Sequence, residues 1–296
     1  MCGIVGLFLK NQALAPELGS LTAQMLKVMS DRGPDSAGFA VYGAGAADMV
    51  KLTLRTDSET AGHMANTFAM RFGIPADLTR RGSHAVLSLP RILEAEVRAW
   101  LSMEHPGIHL VGAGTRMELY KDVGLPADVA DRFGLPGMTG THAIGHTRMA
   151  TESSVTTNGA HPFSTGMDQC LVHNGSLSNH NAMRRVLMRE GLSFETENDS
   201  EVAAAYLTWR MREGASLSQA LTDSLDDLDG FYTFVVGTES GFAVLRDPIA
   251  CKPAVMAETD DYVAFGSEYR ALAMLPDIEK ARLFEPEPAK VYVWEH

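Results

Sequence analysis

The chain has 296 residues, of which 45% are hydrophobic and 21% are charged, with a formal net charge of −12 at pH 7. This composition is typical of a globular protein with one large or two small domains, and the acidic balance disfavours nucleic acid and anionic membranes as partners. The three cysteines are too few for a disulfide framework, which favours a reducing, cytoplasmic setting.

The N-terminal part of the chain is predicted to begin with a strand over 3–9. The opening residues MCGIVGLFLK lack the basic segment and cleavage site of a signal peptide, and no apolar run is long enough to span a bilayer. Helical spacing of apolar residues predicts a helix over 21–29, which ends at the Arg-Gly-Pro-Asp turn of 32–35. A second strand is predicted over 38–42, with 50–55 as its pairing partner.

The segment 57–139 has a different character from the residues on either side. A helical pattern over 91–103 lies between Pro and Gly interruptions, and the segment contains no chemical motif. We predict that it forms a helical lobe inserted within a single domain spanning 2–296. A separate domain and a partner-docking element are the alternatives.

The remainder of the chain shows blocks of strands and helices. Strands are predicted over 142–147 and 169–173, followed by helices over 179–190, 200–213 and 216–228. Short strands punctuated by Gly and Asp follow, over 231–238, 241–246, 262–266 and 291–294. This order predicts an α+β layered domain rather than alternating parallel βαβ units.

The cysteine at position two is a candidate nucleophile. Removal of Met1 would leave Cys2 with a thiol and a free α-amine on one residue. The pKa of an α-amine is near 8, so the amine can act as a general base for the thiol at neutral pH. The alternative is that Cys2 is an incidental small residue that leads into the first strand. An unprocessed Met1 would block the amine.

Four further motifs bear on this choice. They are RGPDSAG at 32–38, GHTRMAT at 145–151, HNG at 173–175 and NDSE at 198–201. Together with the opening CGIVG, they come in the order seen in class-II glutamine amidotransferase domains, which are N-terminal-nucleophile hydrolases. The resemblance extends from Cys2 to about Glu268, apart from 57–139. It implies a four-layer αββα sandwich of two mostly antiparallel sheets.

The resemblance implies that Cys2, Asn174 and Gly175 are catalytic. In the family, a cysteine thiolate attacks the side-chain amide of glutamine, and an oxyanion forms. The counterparts of Asn174 and Gly175 stabilise that oxyanion through a side-chain NH₂ group and a backbone N–H group. The alternative for Asn174-Gly175 is a tight turn, which this dipeptide often makes.

Three further residues are implied to bind glutamine or glutamate. Arg148 matches the arginine that pairs with the α-carboxylate, and Asp199 matches the carboxylate that binds the α-ammonium. Thr151 stands where the family often supplies another polar contact. The alternatives are a surface salt bridge for Arg148, a buried strand-end role for Thr151, and a capping box over 198–201 in which Asp199 suits the helix N-terminus.

Some positions depart from the family pattern. Met149 stands where many members have Trp, and Glu152-Ser153 stand where they have His-Gly. The added negative charge of Glu152 bears on how tightly free glutamine would bind. We predict no metal site, because the chain has no CxxC pair and the rings of His142 and His146 would lie about 13 Å apart along a strand.

Class-II amidotransferases are usually fused to a synthase, and no such part is evident here. The chain most resembles the free-standing amidotransferase subunits related to glutamate synthase, such as the first of the three N-methylglutamate synthase subunits in methylamine metabolism. This implies separate glutamate synthase-like partner subunits that carry flavin and iron–sulfur centres, and no cofactor in this chain. The alternatives are a stand-alone γ-glutamyl amidase and a catalytically silent scaffold protein of a synthase complex.

Overall fold

The computed structural model describes residues 2–150 and 154–296. The helices in these residues are α1 Leu18–Val28, α2 Ser58–Phe72, α3 Glu94–Glu104, α4 Pro126–Phe133, α5 His180–Arg189, α6 Asp199–Arg212 and α7 Leu217–Asp227. The strands are β1 Gly3–Leu9, β2 Ser36–Tyr42, β3 Met49–Arg55, β4 Asp77–Arg81, β5 His84–Pro90, β6 His109–Gly114, β7 Met117–Val123, β8 His142–Arg148, β9 Phe163–Gly166, β10 Gln169–Leu177, β11 Gly230–Gly237, β12 Gly241–Arg246, β13 Val255–Glu258, β14 Tyr262–Gly266, β15 Arg282–Phe284 and β16 Val291–Glu295.

Two antiparallel sheets pack face to face. The larger has the order β15-β13-β14-β1-β8-β2-β7, and the smaller has the order β16-β12-β11-β10-β9. Side chains alternate across each strand, so β1 contributes Ile4 and Phe8 to the apolar layer between the sheets, where Val172 and Val235 also lie. This inner layer holds the strand ends of both sheets in a fixed relative position.

Helices cover the outer faces of both sheets. Val5 and Leu7 of β1 point away from the inner layer and pack in one cluster with Leu26 of α1. On the smaller sheet, Leu171 of β10 packs in a cluster with Leu207 of α6. The layers are therefore helix, sheet, sheet and helix, and the predicted α+β sandwich with antiparallel sheets is confirmed.

The predicted pairing of the second and third strands is wrong. β2 lies between β7 and β8 in the larger sheet, whereas β3 lies between β5 and β6 in a third sheet of order β4-β5-β3-β6. Neighbouring strands in sequence often pair. Here both edges of β2 are taken by strands that are distant in sequence, so the chain leaves the larger sheet after Tyr42.

The segment 57–139 is mixed rather than helical. It contains α2, α3 and α4 together with strands β4 to β7, and β7 belongs to the larger sheet. With β3, strands β4 to β6 enclose a separate apolar cluster that includes Leu52, Phe68 and Trp100. The strands are short and interrupted by Gly and Pro, so their alternation is less visible in the sequence than the helical pattern of α3. Whether the segment is an insertion stays a prediction.

A group of long-range hydrogen bonds joins this segment to the smaller sheet. The carboxylate of Asp168, in the turn between β9 and β10, accepts hydrogen bonds from the backbone N–H groups of Thr115, Arg116 and Met117 at 2.6–2.9 Å. Asp168 is buried, so these bonds satisfy donors that water cannot reach.

Within the described residues, no helix has the length and apolar character needed to cross a bilayer.

Candidate functional site

A pocket opens where β1 begins and β8 ends, along the C-terminal half of β10 and beside the start of α6. Its volume is about 490 Å³, and its lining includes residues from sequence segments that are far apart. Five of the predicted site residues line it, namely Cys2, Arg148, Asn174, Gly175 and Asp199. The structure therefore brings together motifs that lie far apart in the sequence. The predicted contact residue Thr151 and the departures at Glu152 and Ser153 lie outside the described residues, as does Met1.

Two side chains hold the backbone of Cys2. Its carbonyl oxygen accepts hydrogen bonds from Nε of Arg32 at 3.0 Å and from Nδ2 of Asn174 at 3.3 Å. Arg32 is buried and forms an ion pair with Glu268 at 2.5 Å, which fixes the guanidinium. The Cys2 thiol sulfur lies 3.9 Å from the carbonyl oxygen of Met149. The residue that precedes β1 is thus anchored through its backbone at the pocket wall.

The Arg-Gly-Pro-Asp turn shapes the pocket wall. Asp35 accepts a hydrogen bond from the backbone N–H of Ala150 at 2.8 Å, and its own N–H donates to the carbonyl of Arg148 at 3.1 Å. A Cβ atom on Gly33 would lie 2.4 Å from the backbone carbon of Thr147, so only glycine fits this close approach. The turn therefore ties down the residues that follow β8.

Asn174 and Gly175 lie within a strand rather than in a tight turn. In the register of β10 and β11, they stand opposite Thr233 and Tyr232. The alternative interpretation of this dipeptide as a turn is therefore wrong. The amide of Asn174 is directed at Cys2, which places a side-chain N–H donor beside the first residue of the site.

Arg148 and Asp199 approach the pocket from different elements. Arg148 ends β8 and is 6% exposed, which does not fit a surface salt bridge; its Nη1 donates to the carbonyl of Ser154 at 3.4 Å. Asp199 begins α6, and its Oδ2 accepts from the backbone N–H of Leu177 at 2.9 Å. The pocket lining thus includes the cationic side chain of Arg148 and the anionic side chains of Asp199 and Glu197, and Glu197 is turned towards solvent and pairs with Arg184. Arg148 and Asp199 together suit the two charges of an α-amino acid.

The start of α6 is capped by a variant of the predicted capping box. Asn198 is the N-cap, and its side chain accepts from the N–H of Ser200 at 2.8 Å. Glu201 does not reach back to Asn198; its carboxylate accepts from the backbone N–H groups of Glu195 and Thr196, both at 2.8 Å. Glu201 therefore fixes the loop that lines the pocket instead of completing a reciprocal box.

Three buried histidines lie together at the pocket, with His161 and His173 in its lining and His146 behind them, and sequence reasoning did not assign them a role in the site. Nε2 of His146 is 3.0 Å from the carbonyl oxygen of His173, and the rings of His146 and His161 stack with centroids 4.1 Å apart. Ser200 connects His161 to His173. The sequence does indicate that His146 and His173 are near the site, because they belong to two of the motifs. It does not show that these histidines lie together with His161.

Burial keeps these histidines neutral. Desolvation lowers the pKa of His146 to about 3, although its hydrogen bond to the carbonyl of His173 acts the other way. Desolvation also lowers the pKa of His161 well below its usual value and lowers the pKa of His173. At neutral pH each ring therefore carries one N–H. Among the described residues, no group of three or more His, Cys, Asp or Glu side chains is placed to bind a metal ion.

A buried lysine fixes another part of the pocket wall. Nζ of Lys121, on β7, donates to the carbonyl oxygens of Asn158, Ala160 and Pro162 at 3.2, 2.8 and 3.2 Å. Desolvation lowers its pKa to about 8. The three carbonyls surround His161, which lines the pocket. Lys121 thus connects the segment 57–139 to the site.

Comparison with known proteins gives consistent results. A family model described as a glutamine amidotransferase domain matches residues 146–274. The glutamine amidotransferase-like protein GlxB of Rhizobium meliloti (strain 1021) is 61% identical over 298 residues, which cover 100% of this chain and 99% of that protein. A protein of Methanothermobacter thermautotrophicus, provisionally named a glutamine amidotransferase, is 33% identical over 317 residues, 99% of each chain.

The fold is similar to that of a solved structure. The glutamine phosphoribosylpyrophosphate amidotransferase of B. subtilis matches with a TM-score of 0.63 and 21% sequence identity. The match covers 99% of this chain and 47% of that chain, so this chain spans about half of its length. This likeness concerns the fold, whereas the two full-length relatives carry the family relationship.

Proposed function

Because the chain belongs to the class-II glutamine amidotransferase family, we propose that it hydrolyses the side-chain amide of glutamine and supplies the nitrogen to a separate synthase subunit. The observation that carries this proposal is the shared pocket of Cys2, Arg148, Asn174, Gly175 and Asp199. A nucleophile, an amide donor, a cation and an anion meet there in the combination that an amino-acid amide requires.

The proposed chemistry begins at Cys2. Once Met1 is removed, the α-amine accepts the thiol proton, and the thiolate attacks the amide carbon of the substrate. The side-chain NH₂ of Asn174 and the backbone N–H of Gly175 stabilise the oxyanion, and each such donor contributes on the order of 3 kcal/mol. The protonated α-amine of Cys2 then gives this proton to the departing amide nitrogen. Ammonia leaves, and a thioester between Cys2 and the substrate remains. Water then hydrolyses the thioester to glutamate and free thiol.

Two charged side chains would position the substrate. Arg148 pairs with the α-carboxylate through its planar guanidinium, and Asp199 accepts hydrogen bonds from the α-ammonium. Thr151 is retained as a further contact, on the strength of its motif alone. The hydrogen bond from Asn174 to the carbonyl of Cys2 is long, at 3.3 Å, so this amide can turn to the oxyanion at small cost.

The nitrogen acceptor is proposed to lie on separate glutamate synthase-like subunits, as in N-methylglutamate synthase, which would carry the flavin and iron–sulfur centres. The support is the length of the two full-length relatives, each of which this chain covers to 99%. A reducing compartment such as the cytoplasm suits the site, because Cys2, Cys170 and Cys251 are all free thiols.

The test is the intact mass of the chain before and after exposure to an electrophilic glutamine analogue. We expect a chain without Met1 that gains one adduct, and we expect Cys2→Ala to abolish the adduct. Cys251→Ala is the matched control, because Cys251 is exposed and would report non-specific alkylation. Glutamate release should fall by at least about a thousandfold in Cys2→Ala.

The opposite result would overturn the proposal. A purified chain that keeps Met1, takes no adduct and releases no glutamate in the presence of its synthase partner is a silent scaffold. A chain that hydrolyses other γ-glutamyl amides faster than glutamine is a stand-alone amidase. Each outcome selects one function for the same pocket.

A further inference from the structure

The hydroxyl group of Ser200 lies at the centre of a buried polar cluster in the inner wall of the pocket, to whose lining Ser200, His161 and His173 all contribute. Its Oγ is 2.7 Å from Nε2 of His161, 2.9 Å from Nδ1 of His173 and 3.4 Å from Oδ1 of Asp199. Ser200, His161 and His173 are all at least 95% buried although they contribute to the lining, and the ring nitrogens that point away from Ser200 are themselves buried. The three contacts must therefore be satisfied within the cluster.

Counting protons gives one consistent arrangement. A serine hydroxyl has one proton to donate and two lone pairs, a carboxylate only accepts, and a neutral imidazole has one N–H. Nδ1 of His161 and Nε2 of His173 are buried without a hydrogen-bond partner. If Ser200 donated to either ring, that ring's proton would move to one of these unpartnered nitrogens. A buried donor would then be left unpaired, which is unfavourable.

In the arrangement that leaves no buried donor unpaired, the hydrogen bonds run from the two histidines through Ser200 to Asp199. His161 and His173 each donate an N–H to Oγ of Ser200, and Ser200 donates its O–H to Oδ1 of Asp199. The second carboxylate oxygen, Oδ2, accepts from the backbone N–H of Leu177 at 2.9 Å. Both oxygens of Asp199 are therefore held from the protein side, which fixes the plane of the carboxylate at the pocket wall.

We propose that Ser200 is a positioning residue for the substrate's α-ammonium group. It acts through Asp199. Because both histidines donate to Oγ of Ser200, the hydroxyl proton of Ser200 is free to be donated to the Asp199 carboxylate, and this hydrogen bond orients the carboxylate. This inference rests on the proposed function, because it assigns the partner of Asp199. It predicts that Ser200 matters for ligands with an α-ammonium group and not for those without one.

The kinetic test compares three variants with the wild-type chain. Ser200→Ala removes the hydroxyl, and we expect KM for glutamine to rise about tenfold while kcat stays within about twofold. Ser200→Thr keeps a hydroxyl and should restore most of the affinity. Ser224→Ala is the matched control, since Ser224 is also a buried helical serine, but its hydroxyl donates within α7. It should leave KM unchanged.

Ligand choice separates positioning from a general structural effect. Glutarate monoamide lacks the α-ammonium, so its inhibition constant should be the same for Ser200→Ala and the wild type. Equal losses for glutamine and for this analogue would overturn the inference, as would an unchanged KM for glutamine. A wild-type chain that releases no glutamate even in the presence of its synthase partner would instead refute the proposed function.

A second measurement does not depend on activity or on the variant folding. In the wild-type chain labelled with ¹⁵N-histidine, NMR should show His161 protonated at Nε2 and His173 protonated at Nδ1 near neutral pH. A proton on Nδ1 of His161 or on Nε2 of His173 would reverse the direction of the cluster. That result would overturn the inference whether or not the chain hydrolyses glutamine.

Discussion

At the scale of single residues, the strictest constraint in the site falls on Gly175. Its φ is +153°, a conformation that residues with a side chain rarely adopt. A Cβ atom there would lie 2.0 Å from the carbonyl oxygen of Phe231 and 2.7 Å from Cα of Tyr232. Both neighbours belong to the backbone of β11, so they cannot move without separating β10 from β11. The N–H of Gly175 can therefore be held in place only by glycine.

We predict that Gly175→Ala lowers both stability and activity. The left-handed φ alone costs about 1–3 kcal/mol, and the clash adds to it. The clash would displace the backbone of β10 beside Asn174. Glutamate release should therefore fall by at least about a hundredfold even at temperatures where the variant is folded. Urea unfolding and glutaminase assays measure the two effects.

Gly62→Ala is the matched control for this substitution. Gly62 lies in α2, and a Cβ atom there would meet nothing within 4 Å. Alanine should therefore leave activity unchanged and stabilise the helix by about 0.5–1 kcal/mol. A Gly175→Ala variant that unfolds like the wild type and keeps its activity would show that the strand pair is more adaptable than its geometry indicates.

The polar residues of the site could be predicted from the sequence, but the connections between them could not. Motif order predicts that Cys2, Arg148 and Asn174 belong to one site, and the structure places all three in one pocket. Motif order does not reveal that Ser200 connects two histidines, since those contacts cross several elements and depend on how β10 packs against α6. Side-chain partners of this kind are properties of the packed sheets.

At the scale of elements, the pocket depends on a strand from outside the motifs. β7 carries Lys121, which reaches across to three carbonyl groups of the loop before β9 and lies 4.4 Å from the ring centroid of Phe163. A buried ammonium is costly unless its donors are all satisfied, and here three acceptors match its three protons. The loop is therefore fixed to β7.

We predict that Lys121→Met loosens this loop. Methionine retains the length of the side chain but leaves the carbonyls of Asn158, Ala160 and Pro162 without their donor. The loss should be about 2–4 kcal/mol of unfolding free energy, with a several-fold rise in KM for glutamine. Denaturant unfolding and steady-state kinetics measure these changes.

The control for Lys121→Met is Lys280→Met. Lys280 is 70% exposed and pairs with Asp277 at the surface, so its loss should leave the free energy of unfolding almost unchanged. Equal stability of the two variants would mean that the loop is held by other contacts. A stable Lys121→Met variant with wild-type KM would separate β7 from the function of the pocket.

The bounds of single helices and strands are the easiest features to predict from the sequence, and the pairing of strands is the hardest. The predicted strand over 3–9 and the helix over 200–213 agree with β1 and α6 to within a residue or so. The predicted pairing of β2 with β3 is wrong because local pattern records which face of a strand is apolar and not which strand lies beside it. The third sheet escapes prediction for the same reason.

At the scale of the whole molecule, the packing of three sheets buries many titratable rings. His84 packs against Phe133 of α4, and His142 stacks on Tyr42. Desolvation lowers the pKa of His84 to about 4 and the pKa values of His142 and His146 to about 3. All three are less than 2% exposed. The folded chain therefore excludes protons that the unfolded chain binds.

We predict that stability falls as the pH is lowered from 7.5 to 5.5. In this interval the unfolded histidines, with pKa near 6.5, gain protons while His84, His142 and His146 stay neutral in the folded state, so protonation favours unfolding. Each contributes about 1.3 kcal/mol, and together they contribute about 4 kcal/mol. That is a large part of the 5–15 kcal/mol that stabilises a typical domain. Urea unfolding at several pH values measures the trend.

A variant separates the histidine effect from the change in overall charge. Lowering the pH also reduces the net charge of −12, and the relief of repulsion acts in the opposite direction. His84→Phe removes one titrating ring from an aromatic environment that lies away from the pocket. The stability difference between pH 7.5 and 5.5 should then shrink by about 1.3 kcal/mol relative to the wild type. An unchanged difference would mean that the His84 ring is solvated or already protonated in the folded chain, because charge relief is common to both proteins and cancels in the comparison.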